Sequence, residues 1–193
     1  MSERMKKSLR FAGSIFIIVF LLYLGGYRFD SMDAVKANSQ IPKGAQLLDQ
    51  VNFKWGNIYI FDTEDKPMTV ISLKKLGWFW VSNTSVFHYR NQDPVRTIGG
   101  ATFADKNNSA SVISIIVYDP DVAYIEAGPE NDRLRQEVTL EMPLTFWWEY
   151  SIKWSDLAPK AYDSEGNVLY EYRYPETNHT NQEDLKWYHV SVK

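Results

Sequence analysis

An unbroken uncharged run, Phe11 to Tyr27 (FAGSIFIIVFLLYLGGY), bounds what this chain of 193 residues can be. Arg10 stands just before it and Arg28 just after. As helix the run rises roughly 25 Å, against roughly 30 Å for the hydrocarbon core of a bilayer, and the two arginines can reach outward to cover the shortfall. It therefore predicts a membrane span. The preceding flank holds Arg4, Lys6, Lys7 and Arg10 against Glu3, whereas Asp30 and Asp33 follow Arg28. By the positive-inside rule the N-terminus stays in the cytosol and the bulk of the chain is exported. A cleaved secretory signal has the same polarity, but it needs small residues at a cleavage site close to the run. Leu24-Gly25-Gly26 matches poorly, and the pair Val35 and Ala37 lies too far downstream. A retained anchor is the stronger reading.

Charge divides along the chain. Residues 1–37 carry +3, and the remainder, with 15 Lys/Arg against 21 Asp/Glu, carries −6. An acidic outer region argues against nucleic acid, whose binding rests on neutralised phosphates. It argues equally against holding anionic lipid or acidic wall polymers through bulk charge. There is no cysteine, which excludes disulfides, thiolate metal sites, a cysteine nucleophile and an acylated cysteine. Aromatic residues make up 15% of the chain, a content that favours β structure.

The pattern of the remaining residues predicts a mainly β, antiparallel fold. Residues 1–28 form the basic flank and anchor, and 29–50, punctuated by Pro42 and Gly44, read as a stalk. Residues 51–97 read as a β meander. Its hairpin pairs Asn57–Asp62 with Met68–Leu73, and further strands follow at Trp78–Val81 and Ser85–Arg90. The turn formers from Asn91 through Gly99-Gly100 mark a boundary, and a second unit of about seven strands spans 98–175. Within it Ser111–Tyr118 (SVISIIVY) is apolar on both alternations, as a central strand covered on both faces would be. Arg133–Met142 and Leu144–Ile152 alternate with period 2, and the last pair, Leu157–Asp163 and Val168–Tyr174, is joined by Ser164–Asn167. Residues 176–193 form a polar tail in which Leu185–Val190 can add an edge strand.

The stretch Ala161-Tyr-Asp-Ser-Glu-Gly-Asn-Val168 resembles the A-x-D-x-x-G-N turn near the end of many bacterial immunoglobulin-like and fibronectin-like repeats. With the strand count, this resemblance implies an Ig-like β-sandwich over 98–175. The whole plan also resembles a loose class of uncharacterised single-pass membrane proteins of Gram-positive bacteria. These pair an N-terminal anchor with a meander carrying a Gly-Trp strand start, here Gly77-Trp78, and end in a hairpin, here YDSEGNVLY from Tyr162 to Tyr170. That resemblance implies an extracytoplasmic β region and carries over no active site.

No motif marks catalysis. The histidines His88, His179 and His189 lack zinc-ligand spacing, and His88 reads as a partly buried structural residue among aromatics. Asp119, Asp121, Asp163 and Glu165 offer oxygen ligands for calcium, but Asp163-Ser-Glu165-Gly166 lacks the rest of a calcium loop and reads as a turn. Glu126, Glu137, Glu141 and Glu149 include no pair singled out for glycosidase chemistry. No enzyme, metal or cofactor is expected. The aromatic runs Trp78-Phe79-Trp80 and Phe146-Trp147-Trp148 are the remaining candidates. Trp147 falls on the polar face of its strand, where it serves packing, a protein partner or a sugar. The leading expectation is a non-enzymatic module that recognises another envelope protein. Its alternative is cell-wall glycan binding through Trp147, Trp78 or Trp80.

Overall fold

The computed structural model describes residues 3–38, 40–63, 66–175, 177 and 181–190. The first element, α1 (Glu3–Leu24), is long and apolar enough to span a membrane, with mean hydropathy 1.7 over its best window and none of its described side chains buried against the rest of the chain. It stops because Gly26 adopts φ +86°, which a side chain disfavours. The Tyr27 amide then donates to Leu22 O (3.0 Å) and the Gly26 amide to Tyr23 O (3.1 Å), the double closure of a Schellman cap. Arg28 turns back to donate to Tyr23 O (2.7 Å) and Tyr27 O (2.8 Å), placing a cation at the negative end of the helix dipole.

Residues 29–50 are not a stalk. Asp30 accepts from the Asp33 amide (3.0 Å) and caps α2 (Ser31–Lys36), whose Ala34 and Val35 are fully buried. β1 (Gln46–Phe53) then begins inside the expected stalk and pairs with β2 (Gly56–Asp62). Together with β3 (Met68–Lys75) and β4 (Phe79–Phe87) they make sheet I, in sequential antiparallel order. The two strands expected at 78–81 and 85–90 are one, with a bulge in its pairing opposite Ile71–Leu73. β2 is apolar on both alternations because both faces are covered. Tyr59 and Phe61, with Met68 and Val70 of β3, meet Val35, while Ile58 and Ile60 point into the next layer.

That layer is sheet II, formed by β5 (Val95–Ala104), β6 (Ser109–Val117) and β9 (Leu144–Trp148) in the order β5-β6-β9. Sheet III holds β7 (Tyr124–Ala127), β8 (Leu134–Glu137), β10 (Lys160–Tyr162), β11 (Val168–Arg173) and β12 (Lys186–His189), in the order β12-β11-β10-β7-β8. Sheet II lies in the middle. From β6, Ala110, Val112 and Ile116 meet sheet I, while Ile113, Ile115 and Val117 meet sheet III. Each such valine or isoleucine, once buried, stabilises the fold by about 1.5–3 kcal/mol. This is why SVISIIVY carries no polar face.

The expected boundary at 97/98 falls inside β5. Gly99-Gly100 is a point of close approach and not a linker: a Cβ on Gly99 would lie 2.7 Å from Ile60 Cγ2, and the Gly100 amide donates to Thr69 Oγ1 (2.7 Å). The two β units thus share one core. The strand expected over 133–142 shortens to β8, since the chain must cross from sheet III to sheet II. Glu141 turns there at φ +63°, leaving Leu140 and Met142 exposed. The 163–167 turn forms as the sequence predicts. Asp163 Oδ1 accepts from the Glu165 and Asn167 amides (2.9 and 2.8 Å), and Gly166 supplies φ +90°.

Candidate functional site

Trp147 lies at the seam of sheets I and II, where β9 runs beside β1. Its indole is 47% exposed and meets Phe53 edge-on at 5.9 Å, and Phe53 stacks on Trp55 (5.2 Å), which stacks on Phe103 (4.9 Å). Asp49, Gln50, Asn52 and Thr145 join Trp147 around a shallow groove of about 290 Å³, with Asp49 hydrogen-bonded to Thr145. Trp148 points the other way, 3% exposed, with its Nε1 donating to Asp132 O at 3.2 Å. The alternation therefore assigned both faces of β9 correctly.

Trp78 and Trp80 do not join Trp147. They belong to β4 and the turn before it, on the opposite edge of sheet I from β1. Three strand spacings separate those edges, about 14 Å. Trp78 sits outside the strand, in the turn, and is 79% exposed. Trp80 is half-buried, and its backbone exchanges two hydrogen bonds with Arg28 (2.8 and 2.7 Å). Trp78 and Trp80 thus sit in different settings.

A third place went unforeseen. At the edge where β4, β5 and β11 of the three sheets come together, a cavity of about 380 Å³ opens. Phe87, Tyr89, Trp154, Tyr172 and Tyr174 supply aromatic walls, and His88, Asn91, Thr97 and Thr102 supply neutral polar groups. Among the described residues no Asp, Glu, Lys or Arg lines it. Thr97 Oγ1 accepts from Trp187 Nε1 (3.1 Å) and Thr102 Oγ1 donates to Ile152 O (2.9 Å), so both threonines are held in place. The His88 ring lies 5.8 Å from that of Trp154, and its Nδ1 is buried without a hydrogen-bond partner. Burial lowers His88 from its ordinary 6.5 to about 4, leaving a neutral imidazole at physiological pH. Burial likewise raises the Tyr172 phenol to about 12. The aromatic strand ends SVFHYR and YRY were visible in the sequence. Their convergence was not, because the lining comes from residues 86–102, 154, 172–174 and 185.

The remaining candidates do not assemble. Glu126 is hydrogen-bonded to Arg133 (3.3 Å) and Glu137 to Arg135 (2.9 Å), while Glu141 and Glu149 are exposed. Asp119 accepts from the Tyr170 hydroxyl (2.6 Å). The Asn167 side chain and then its amide hold the Asp163 carboxyl below its usual range, and both carboxyl oxygens are engaged within the turn. His189 is an exposed edge-strand residue against Tyr170, and His179 lies outside the described residues. Among the described residues no three acidic or histidine side chains gather where they could hold a metal.

Comparison with protein-family models, with curated proteins and with solved structures finds no match to this chain.

Proposed function

We propose that this is a membrane-anchored, extracytoplasmic, non-enzymatic recognition module that takes an apolar side chain of another envelope protein into the cavity beside β4. The basic flank before α1 and the −6 region after it support the exported orientation. Strand order supports reading sheets II and III as an Ig-like or fibronectin-like sandwich. With the strands lettered from β5, A-B-E faces C′-C-F-G, and β12 is added beside G. The observation that carries the functional reading is the cavity's composition: five aromatic rings, four neutral polar residues and, among the described residues, no charged lining. Its rim extends the same chemistry outward through exposed Val86, Phe87, Tyr89 and Tyr174. An aromatic pocket inside an apolar rim suits a buried anchor side chain at a protein interface. A photoreactive residue in place of Tyr89 should give one recurrent protein adduct in cells, and the same residue at Trp147 should not. Adducts from Trp147 alone would overturn the assignment.

One observation favours a second reading, wall glycan. The half-exposed Trp147 indole beside Asp49, Gln50, Asn52 and Thr145 offers a stacking face with hydrogen-bonding groups. Retention on purified cell wall that Trp147→Ala abolishes, with no protein adduct from Tyr89, would support it.

A further inference from the structure

We infer that the β3–β4 turn, Leu76-Gly77-Trp78, is a bilayer-contact element that seats the folded region directly on the membrane surface. This rests on α1 being a membrane span.

The connection between helix and sheet is short and fixed. Two residues after the Gly26 cap, Arg28 pairs antiparallel with Trp80, and its neighbours continue the contact. Phe29 lies 5.0 Å from the Phe79 ring and Tyr27 meets the same ring edge-on at 6.3 Å. The turn ends at Trp78, two residues before Trp80, at about 3.3 Å of strand per residue. Trp78 therefore lies roughly 7 Å along the strand from the Arg28–Trp80 bridge, which ties the turn to the chain leaving α1.

The exposed surface there is apolar. Leu76 is 74% and Phe29 68% exposed, alongside Trp78, while Leu24 is also uncovered at the end of α1. Leu76 holds φ +52°, a conformation that glycine or asparagine adopts at less cost, so an apolar side chain is presented at the tip despite the strain. Trp is the side chain best suited to the headgroup level, with an apolar body and a polar N–H. The length of α1 points the same way. Its uncharged part, Phe11–Leu24, rises about 21 Å, less than the roughly 30 Å core, which draws the helix end and whatever is tied to it toward the interface.

Charge at this end of sheet I fits anionic headgroups, although the region as a whole is acidic. Lys74 and Lys75 precede the turn, and Lys54 occupies the adjacent β1–β2 turn, where the Lys74 amide donates to Trp55 O (2.9 Å). Lys106 lies in the β5–β6 turn beside them, and the one carboxylate of that turn, Asp105, is engaged by the Asn107 and Asn108 amides (2.8 Å each).

The chain has no cysteine, so single labels can be placed without background. Fluorophores would be attached to the full chain at Trp78→Cys, Phe16→Cys or Trp147→Cys in vesicles of phosphatidylcholine and phosphatidylglycerol containing nitroxide lipid. Labels at Trp78 and Phe16 should lose most of their emission, and the label at Trp147 should keep it. Quenching at Phe16 with Trp78 as bright as Trp147 would overturn the inference and leave the span intact. No quenching at Phe16 would overturn the span, and the inference with it.

Discussion

Trp78-Phe79-Trp80 and Phe146-Trp147-Trp148 are the same kind of aromatic triplet, yet the fold uses them in opposite ways. The second lies in β9 of the middle sheet, so Phe146 and Trp148 are sealed between sheets II and III and only Trp147 reaches the seam. The first straddles a turn at an outer edge, so Trp78 leaves the strand altogether and Phe79 packs on residues that follow α1. Alternation sorts side chains between two faces. Which face is covered depends on the layers above and below, and those come from elsewhere in the chain.

The contrast makes a graded set of stability predictions. Trp148→Ala should be the most damaging, costing about 3–5 kcal/mol and abolishing cooperative unfolding in denaturant titrations of the detergent-solubilised chain. The enclosed His88 comes next, through pH. Its value in the fold, about 4, lies below the 6.5 of an exposed histidine, so the unfolded chain binds more protons between those limits. Stability should thus be intact above about 6.5 and fall by up to about 3 kcal/mol as pH drops through 4, a slope that His88→Leu should remove. Trp147→Ala should cost about 1 kcal/mol, the worth of its edge-on contact with Phe53. Trp78→Ala should change unfolding by no more than about 0.5 kcal/mol, because the side chain is largely exposed. Equal losses from Trp147→Ala and Trp148→Ala would break the distinction between the faces of β9.

What the sequence made legible was local. The doubly apolar SVISIIVY announces a middle strand, period 2 over 144–152 assigns Trp147 and Trp148 to opposite faces although the strand stops at Trp148, and Asp163 through Asn167 specify their own turn. What it concealed was convergence. Ala34 and Val35 look like part of a polar stretch until sheet I is seen to need a cover for Tyr59 and Met68. Gly99-Gly100 looks like a linker until a Cβ there is seen to strike Ile60. The cavity is the extreme case. Its walls span nearly a hundred residues of sequence, and the lining aromatics of SVFHYR and YRY, taken alone, read as ordinary strand ends.

Filling the cavity beside β4 tests the proposal that it receives a side chain of a protein partner. Val86 lines the cavity at its exposed rim, so Val86→Trp can occupy the space without entering the core. In cells carrying the photoreactive residue at Tyr89, this substitution should eliminate the protein adduct while the melting temperature stays unchanged. An undiminished adduct in the filled variant would contradict the claim.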